Sequence, residues 1–122
     1  MSGTNTELRA RTKQYSLRII RMFASLPNTT VAQVLGKQVL RSGTSVGAHY
    51  REGHRARSNA EFISKLEVAL QELDESAYWL ELLVEGGIFP EEKLADLIQE
   101  TEELIAIFVT CVKKAKETKD ER

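Results

Sequence analysis

The residues whose types and spacing could do chemistry lie between positions 50 and 65. Arg51, Arg55 and Arg57 fall within seven residues, and Lys65 follows in the next predicted helix. Guanidinium groups make paired, charge-assisted hydrogen bonds to phosphate oxygens, so this cluster indicates a contact surface for RNA or DNA. The alternative is that the arginines form ion pairs with acidic helices of the same or a neighbouring subunit. Tyr50 is the only aromatic residue beside them, which argues against stacking on single-stranded bases.

The sequence lacks the residue spacings that mark a metal site or a catalytic nucleophile. Neither of its two histidines, His49 and His54, belongs to a Glu-x-x-His pair, the motif of di-iron helix bundles. Cys111 falls on an apolar helical stripe, where a thiol behaves as a small hydrophobic group. There is no phosphate-binding loop and no dinucleotide fingerprint. We therefore predict a non-enzymatic protein with no catalytic residue, metal or cofactor.

Length, cysteine content and hydropathy restrict the class of protein further. The 122 residues suit a single domain over 1–122, with enough chain for a continuous core. A single cysteine cannot form an intrachain disulfide and suits a reducing compartment. No apolar run approaches the roughly 20 residues that cross a bilayer. We expect a cytoplasmic protein with no membrane partner.

The net charge of −1 hides a division of charge along the chain. Residues 1–65 contain 11 Lys/Arg and 3 Asp/Glu, a net charge of +8, whereas residues 66–122 contain 6 Lys/Arg and 15 Asp/Glu, a net charge of −9. Such a division indicates a basic surface for an anionic partner, or complementary faces that meet within or between subunits. The simplest alternative is that helices of opposite charge lie side by side in one bundle.

Helical periodicity organises the whole chain. Apolar residues recur every three or four positions in four segments, at about 6–25, 30–52, 58–85 and 90–116. Ser58 and Glu61 form a capping box at the start of the third segment, and Gly86-Gly87 ends it. Short connections make consecutive helices antiparallel, so the pattern predicts an all-α, up-down four-helix bundle.

Two of the predicted helices carry apolar residues away from their core stripes. Leu17 and Ile20 lie on the far side of the first helix, and Val68, Trp79 and Leu82 lie off the main stripe of the third. A soluble monomer seldom exposes a tryptophan together with several aliphatic side chains. We therefore predict that these five residues form an interface in a homo-oligomer. The alternative is scattered exposed apolar residues, which are common singly.

The second predicted helix contains an unusual strip of glycines. Gly36, Gly43 and Gly47 lie on one side of it, although each glycine costs a helix about 1 kcal/mol relative to alanine. The strip therefore predicts close approach of a neighbouring helix. His49, on the adjacent polar side, is interpreted as a hydrogen-bonded structural histidine.

Three stretches of the chain resemble the "four helix bundle protein" family, whose members include proteins encoded in intervening sequences of bacterial 23S ribosomal RNA genes. They are residues 41–52 (RSGTSVGAHYRE), 55–66 (RARSNAEFISKL) and 73–83 (LDESAYWLELL). The polar, glycine-containing helix end, the capping box and the aromatic-acidic run follow one another at the family's spacing. The chain departs from the family at His49-Tyr50-Arg51, where many members have Asn-Ile-Ala, and its near-zero net charge differs from that of basic relatives that bind nucleic acid.

The resemblance implies an assembly and a set of partners. It implies an up-down bundle that forms a ring-shaped homopentamer and has no established enzymatic activity. Similar accessory proteins of diversity-generating retroelements engage a reverse transcriptase and nucleic acid, so both are implied as partners. Two functions follow as hypotheses: an accessory factor that binds RNA or DNA, and a protein-interaction scaffold without a nucleic-acid role.

Overall fold

Four helices account for almost all of the chain that the structure describes. The structure, a computed structural model, describes residues 2–118 and the side chains of residues 5–118. The helices are α1 (Ser2–Ala24), α2 (Thr30–His54), α3 (Asn59–Glu85) and α4 (Glu91–Lys116). No strand occurs among residues 2–118. The predicted all-α four-helix bundle is confirmed.

The helix ends follow the local signals in the sequence. The Thr29 hydroxyl accepts a backbone N–H of the first turn of α2 at 3.2 Å. At the start of α3, Ser58 Oγ accepts the N–H of Glu61 at 3.1 Å, and the Glu61 carboxylate accepts the N–H of Arg57, the residue before the cap, at 3.1 Å. Gly87 adopts the left-handed conformation after α3, with φ of 72°. These contacts satisfy backbone groups that a helix end leaves unpaired.

Helix α2 ends at His54, two residues beyond the predicted position at Glu52. Gly53, the first residue beyond the predicted end, is buried within the helix. A Cβ atom added at Gly53 would lie 2.9 Å from Leu66 Cδ1, so the glycine allows the end of α2 to lie against the start of α3. The glycine therefore marks a close packing contact. Helix α1 also differs from its prediction, since it begins at Ser2 and not near residue 6.

The core contains apolar side chains from all four helices and two buried polar pairs. The largest fully buried apolar side chains are Tyr15, Ile19, Val39, Val46, Leu66, Leu73, Leu80, Leu83, Leu94, Leu104 and Phe108. Tyr15 Oη lies 2.7 Å from Thr101 Oγ1, which joins α1 to α4, and Ser42 Oγ lies 2.7 Å from Ser76 Oγ, which joins α2 to α3. Buried hydroxyls without partners would be costly, so these pairs favour one register between the helices.

The glycine strip of α2 lies against α1. A Cβ atom at Gly43 would lie 2.8 Å from Ile19 Cγ1, and one at Gly47 would lie 3.2 Å from Thr12 Oγ1. A Cβ atom at Gly36 would overlap side chains near the end of α1. The predicted close approach of a neighbouring helix is therefore present, and the neighbour is α1.

We predict that Gly43→Val destabilises the fold, because its branched side chain would overlap Ile19. Overpacking of this kind costs about 1–3 kcal/mol, which exceeds the gain in helix propensity. Urea unfolding would measure the loss. Ala48→Val, at an exposed position of the same helix, is the matched control and should cost at most ~0.7 kcal/mol. Equal unfolding free energies for the two variants would contradict the proposed role of the contact.

Candidate nucleic-acid interface

An open groove lies between α1 and the C-terminal half of α2. Its volume is about 470 Å³. The lining residues are Lys13, Ser16, Gly47, Ala48, Arg51, Glu52 and Arg55. Three of these carry positive charge and one carries negative charge, and the residues nearest the α1–α2 contact are small. A groove of this composition is suited to an anionic ligand.

The helices position the groove's cations through their periodicity. Arg51 and Arg55 are four residues apart, so their side chains leave the end of α2 on the same side. Gly47 lies one turn earlier and contacts Thr12, which brings α1 close to α2. The next residue of α1, Lys13, therefore reaches the groove. The sequence adds Lys13 to the basic residues only together with the other cations of α1 and does not single it out as a phosphate contact, because nothing in the sequence indicates which of these cations faces α2.

The arginines of this region are free of ion pairs within the described side chains. Among residues 5–118, Arg51, Arg55 and Arg57 make no salt bridge, and Arg55 and Arg57 are exposed while Arg51 is half-buried. The predicted alternative, pairing with the acidic helices, does not occur among the described side chains of one subunit. Pairing across subunits stays a prediction.

Other arginines neutralise the acidic helices. Arg11 bridges α1 to α4, with its Nε 2.8 Å from Glu100 and its Nη2 2.7 Å from Glu103. A second bridge is made by Arg41, which joins α2 to Glu72 and Glu75 of α3. The basic and acidic halves of the chain therefore meet at these two bridges, away from the arginines of residues 51–57.

Lys65, which the sequence grouped with the three arginines, differs from them because it forms an ion pair. Its Nζ lies 3.1 Å from the Glu52 carboxylate, on the rim of the groove. The hydrogen bond from Lys65, followed by one from His49, lowers the pKa of Glu52 below its usual value. Lys65 is thus engaged by a carboxylate, whereas the arginines are not.

The aromatic side chain nearest the groove in sequence, Tyr50, belongs to the core of the bundle, and the histidines beside it are partly buried. Tyr50 is only 2% exposed, and its hydroxyl donates to Asn5 Oδ1 at 3.0 Å. Its ring meets His54 edge-on at 4.6 Å and Phe108 at 5.8 Å between ring centroids. His49 Nδ1 lies 3.3 Å from a Glu52 oxygen, which agrees with a hydrogen-bonded structural role. Tyr50 therefore offers no face on which a base could stack.

The described residues contain no cluster that could hold a metal, and the environment of Cys111 disfavours its reactive form. No group of three or more His, Cys, Asp or Glu side chains with metal-binding geometry occurs in the described part of the chain. Cys111 is half-buried against the core, and burial raises the pKa of its thiol. A raised pKa disfavours the thiolate, which is the reactive form.

The residues predicted to form an oligomer interface lie on two helices and differ in exposure. On α1, Ile20 is 45% exposed and Leu17 is half-buried. On α3, Val68 and Leu82 are half-buried, and Trp79 packs against the core with its indole N–H buried and unpaired among the described side chains. The sequence prediction missed four exposed apolar residues, since single exposed positions do not interrupt helical periodicity. They are Val31, Val34, Tyr78 and Val109.

We predict that alkaline pH destabilises the fold through its buried tyrosines. Burial raises the pKa of both Tyr15 and Tyr50 to about 12, whereas an unfolded tyrosine ionises near pH 10. The folded state holds these protons more tightly, so their contribution is complete below pH 10 and is lost as the pH rises towards 12. Urea unfolding at pH 8, 10 and 11.5 would measure the fall, which should be smaller for Tyr50→Phe. An equal fall in the two proteins would contradict the role assigned to Tyr50.

Comparison with known proteins identifies the family. No helix among the described residues combines the length and hydropathy needed to cross a membrane. No curated protein matches the sequence. One solved structure, of a Bacteroides thetaiotaomicron protein of unknown function from the S23 ribosomal protein family, is 34% identical. The match covers 89% of this chain and 97% of that one, with a TM-score of 0.83. The model of the family described as 23S rRNA-intervening sequence protein matches residues 4–110, and the chain therefore belongs to this family.

Proposed function

We propose that this protein is a non-enzymatic, homo-oligomeric accessory protein that binds the phosphate backbone of RNA. One observation carries the proposal: Arg51, Arg55 and Arg57 have no ion pair among the described side chains, and two of them line a groove with Lys13. An unpaired guanidinium is free to form bidentate hydrogen bonds with a phosphate. Lys65 plays a smaller part, because Glu52 already engages it.

The proposed ligand is a structured or double-stranded RNA, recognised by its backbone. Proteins that bind single strands place exposed aromatic rings beside their cations, so that bases can stack on them. Tyr50, the aromatic residue nearest the arginines in sequence, is buried in the bundle. Contacts to phosphates alone give binding with little dependence on base sequence.

The names of the relatives support RNA over DNA. The family is described as 23S rRNA-intervening sequence protein, and the solved relative is assigned to an S23 ribosomal protein family. Both names refer to the ribosome or its RNA, and we extend that association to this chain as part of the proposal. DNA is the second nucleic acid to test, since phosphate contacts do not distinguish the two.

The assembly, a protein partner and the compartment complete the proposal. Exposed Ile20 and half-buried Leu17, Val68 and Leu82 support a homo-oligomer, for which the family resemblance implies five copies. The resemblance to retroelement accessory proteins makes a reverse transcriptase the first protein partner to test. We assign the protein to the cytoplasm, where Cys111 would stay a free thiol.

A protein-interaction scaffold is the second candidate function. The observation that favours it is a second groove, between α3 and α4, which is lined by acidic and apolar residues. The two functions differ in one property, binding to nucleic acid, and a titration therefore separates them.

We predict that replacing Arg51, Arg55 and Arg57 together by Ala weakens binding to a labelled RNA hairpin. The logarithm of the binding constant should fall linearly with the logarithm of salt concentration in the wild type. Each lost phosphate contact should make that slope shallower by about 0.9 on a duplex, so the full triple change reduces it by roughly 2–3. Fluorescence anisotropy at several salt concentrations would measure both quantities, with DNA duplexes of equal length alongside.

The control replaces Lys37, Lys93 and Lys113 together by Ala, which removes the same three positive charges. These lysines are exposed elsewhere on the surface. The control should keep most of the wild-type slope, because these lysines lie outside the groove. Equal losses in the two triple variants would mean that net charge alone attracts RNA. No binding of the wild type at low salt would reject the nucleic-acid role and leave the scaffold function.

We predict that Glu52→Gln strengthens RNA binding. Glu52 is the one carboxylate lining the groove, and it also engages Lys65. Its neutralisation removes repulsion of phosphate and releases the lysine. We expect a gain of about two- to fivefold, the size of one exposed charge interaction of up to ~1 kcal/mol. Glu92→Gln, an exposed carboxylate of α4 outside the groove lining, is the control, and an equal gain in it would contradict the assignment.

A further inference from the structure

The groove between α3 and α4 collects carboxylates that have no ion-pair partner among the described side chains. Its volume is about 450 Å³. The acidic residues lining it are Asp74, Glu81, Glu85, Glu91 and Glu102. Among the described side chains none of the five takes part in a salt bridge, and no Lys or Arg lines the groove. The groove is therefore strongly negative.

The floor of this groove is apolar. Ala77, Val84 and Ile98 line it between the carboxylates, and the ring of Tyr78 stands 53% exposed at its edge. Exposed apolar area of this kind, rimmed by charge, is typical of a surface that docks a partner. An occupant that fits would carry an apolar ridge bordered by cations.

The outer side of α1 has that complementary composition. Leu17 and Ile20 lie there, and Arg18 and Arg21 border them on the side towards Asp96 of α4, without a salt bridge among the described residues. The single carboxylate in the sequence of α1 is Glu7, near its N-terminus. The exposed ridge from residue 10 to residue 24 is about 21 Å long, and the groove from residue 74 to residue 85 is about 17 Å long. The ridge is long enough to fill the groove.

We infer that the α3–α4 groove of one copy receives the outer side of α1 from a second copy of the chain. A second copy is preferred over an unrelated basic partner because the matching charges, apolar residues and lengths occur together on this one chain. Both surfaces belong to the same subunit but differ from each other, so the contact is heterologous, and repetition of such a contact generates a ring when the rotation closes.

This inference rests on the homo-oligomer of the proposed function and deepens it. It also separates two sets of cations in the first half of the chain. Arg18 and Arg21 neutralise the neighbouring copy, while Arg51, Arg55 and Arg57 stay available to phosphate. The three arginines therefore lie outside the interface, whereas Lys13 and Ser16 fall within the length of the α1 ridge and also line the basic groove.

Charge reversal tests the contact on the full-length chain. Arg18→Glu with Arg21→Glu makes the α1 ridge acidic, and Glu81→Arg with Glu85→Arg makes the groove basic. Each double variant should lose the wild-type assembled mass in multi-angle light scattering and approach the 13.8 kDa of one chain. A quadruple variant with all four changes restores complementarity with reversed sign and should regain the wild-type mass. Circular dichroism would verify that each variant keeps its helices.

The controls distinguish loss of this contact from a general charge effect. Lys37→Glu with Lys113→Glu changes the net charge as much as the α1 variant does, at exposed positions away from the ridge, and should leave the mass unchanged. An assembled wild type whose double variants keep its mass would overturn the inference but leave the oligomer standing. Folded double variants that dissociate while the quadruple variant stays monomeric would also overturn it. A wild type of 13.8 kDa would reject the oligomer itself.

Discussion

The close contact between the glycine strip of α2 and the side of α1 governs most of what this bundle presents at its surface. Gly43 leaves no room for a side chain between the helices and Gly47 leaves little, because Ile19 and Thr12 of α1 fill the space. The glycines cost α2 about 1 kcal/mol each in helix propensity, which tertiary packing must offset. The same contact brings Lys13 beside the end of α2 and so forms one wall of the basic groove.

The distribution of charge follows from which cations the bundle uses internally. Arg11 and Arg41 bridge neighbouring helices, and they satisfy carboxylates of α4 and α3. These partly exposed bridges add little stability individually. Their larger consequence concerns which carboxylates keep their charge unpaired. The bridges neutralise carboxylates close to α1 and α2 but none of those in the α3–α4 groove. The charge division of the sequence is thereby kept as two surfaces of opposite sign on one subunit.

Much of the fold could be predicted from the sequence because its determinants are local. Helical periodicity, the Ser58 cap and the glycine after α3 depend on residues within a few positions of each other, and all three are present. In the capping box, Glu61 accepts the N–H of Arg57 and not that of Ser58 itself. The predicted end of α2 was wrong because a contact with Leu66 of the next helix keeps Gly53 within α2. The candidate site was predictable only in part for the same reason. The pairing of Lys65 with Glu52, the burial of Tyr50 and the position of Lys13 all depend on distant packing.

The two proposed surfaces reinforce each other physically. A groove that makes three or four phosphate contacts is exposed, and its binding to RNA weakens steeply as the salt concentration rises. One subunit alone would therefore bind RNA poorly at physiological ionic strength. Copies joined through α1 and the acidic groove would present one arginine groove each at fixed spacing. Once one groove is occupied, the next binds at a high effective concentration, and overall affinity rises without any new contact. A near-zero net charge is compatible with this arrangement, because the acidic surface would lie inside the assembly and the arginines would lie outside it.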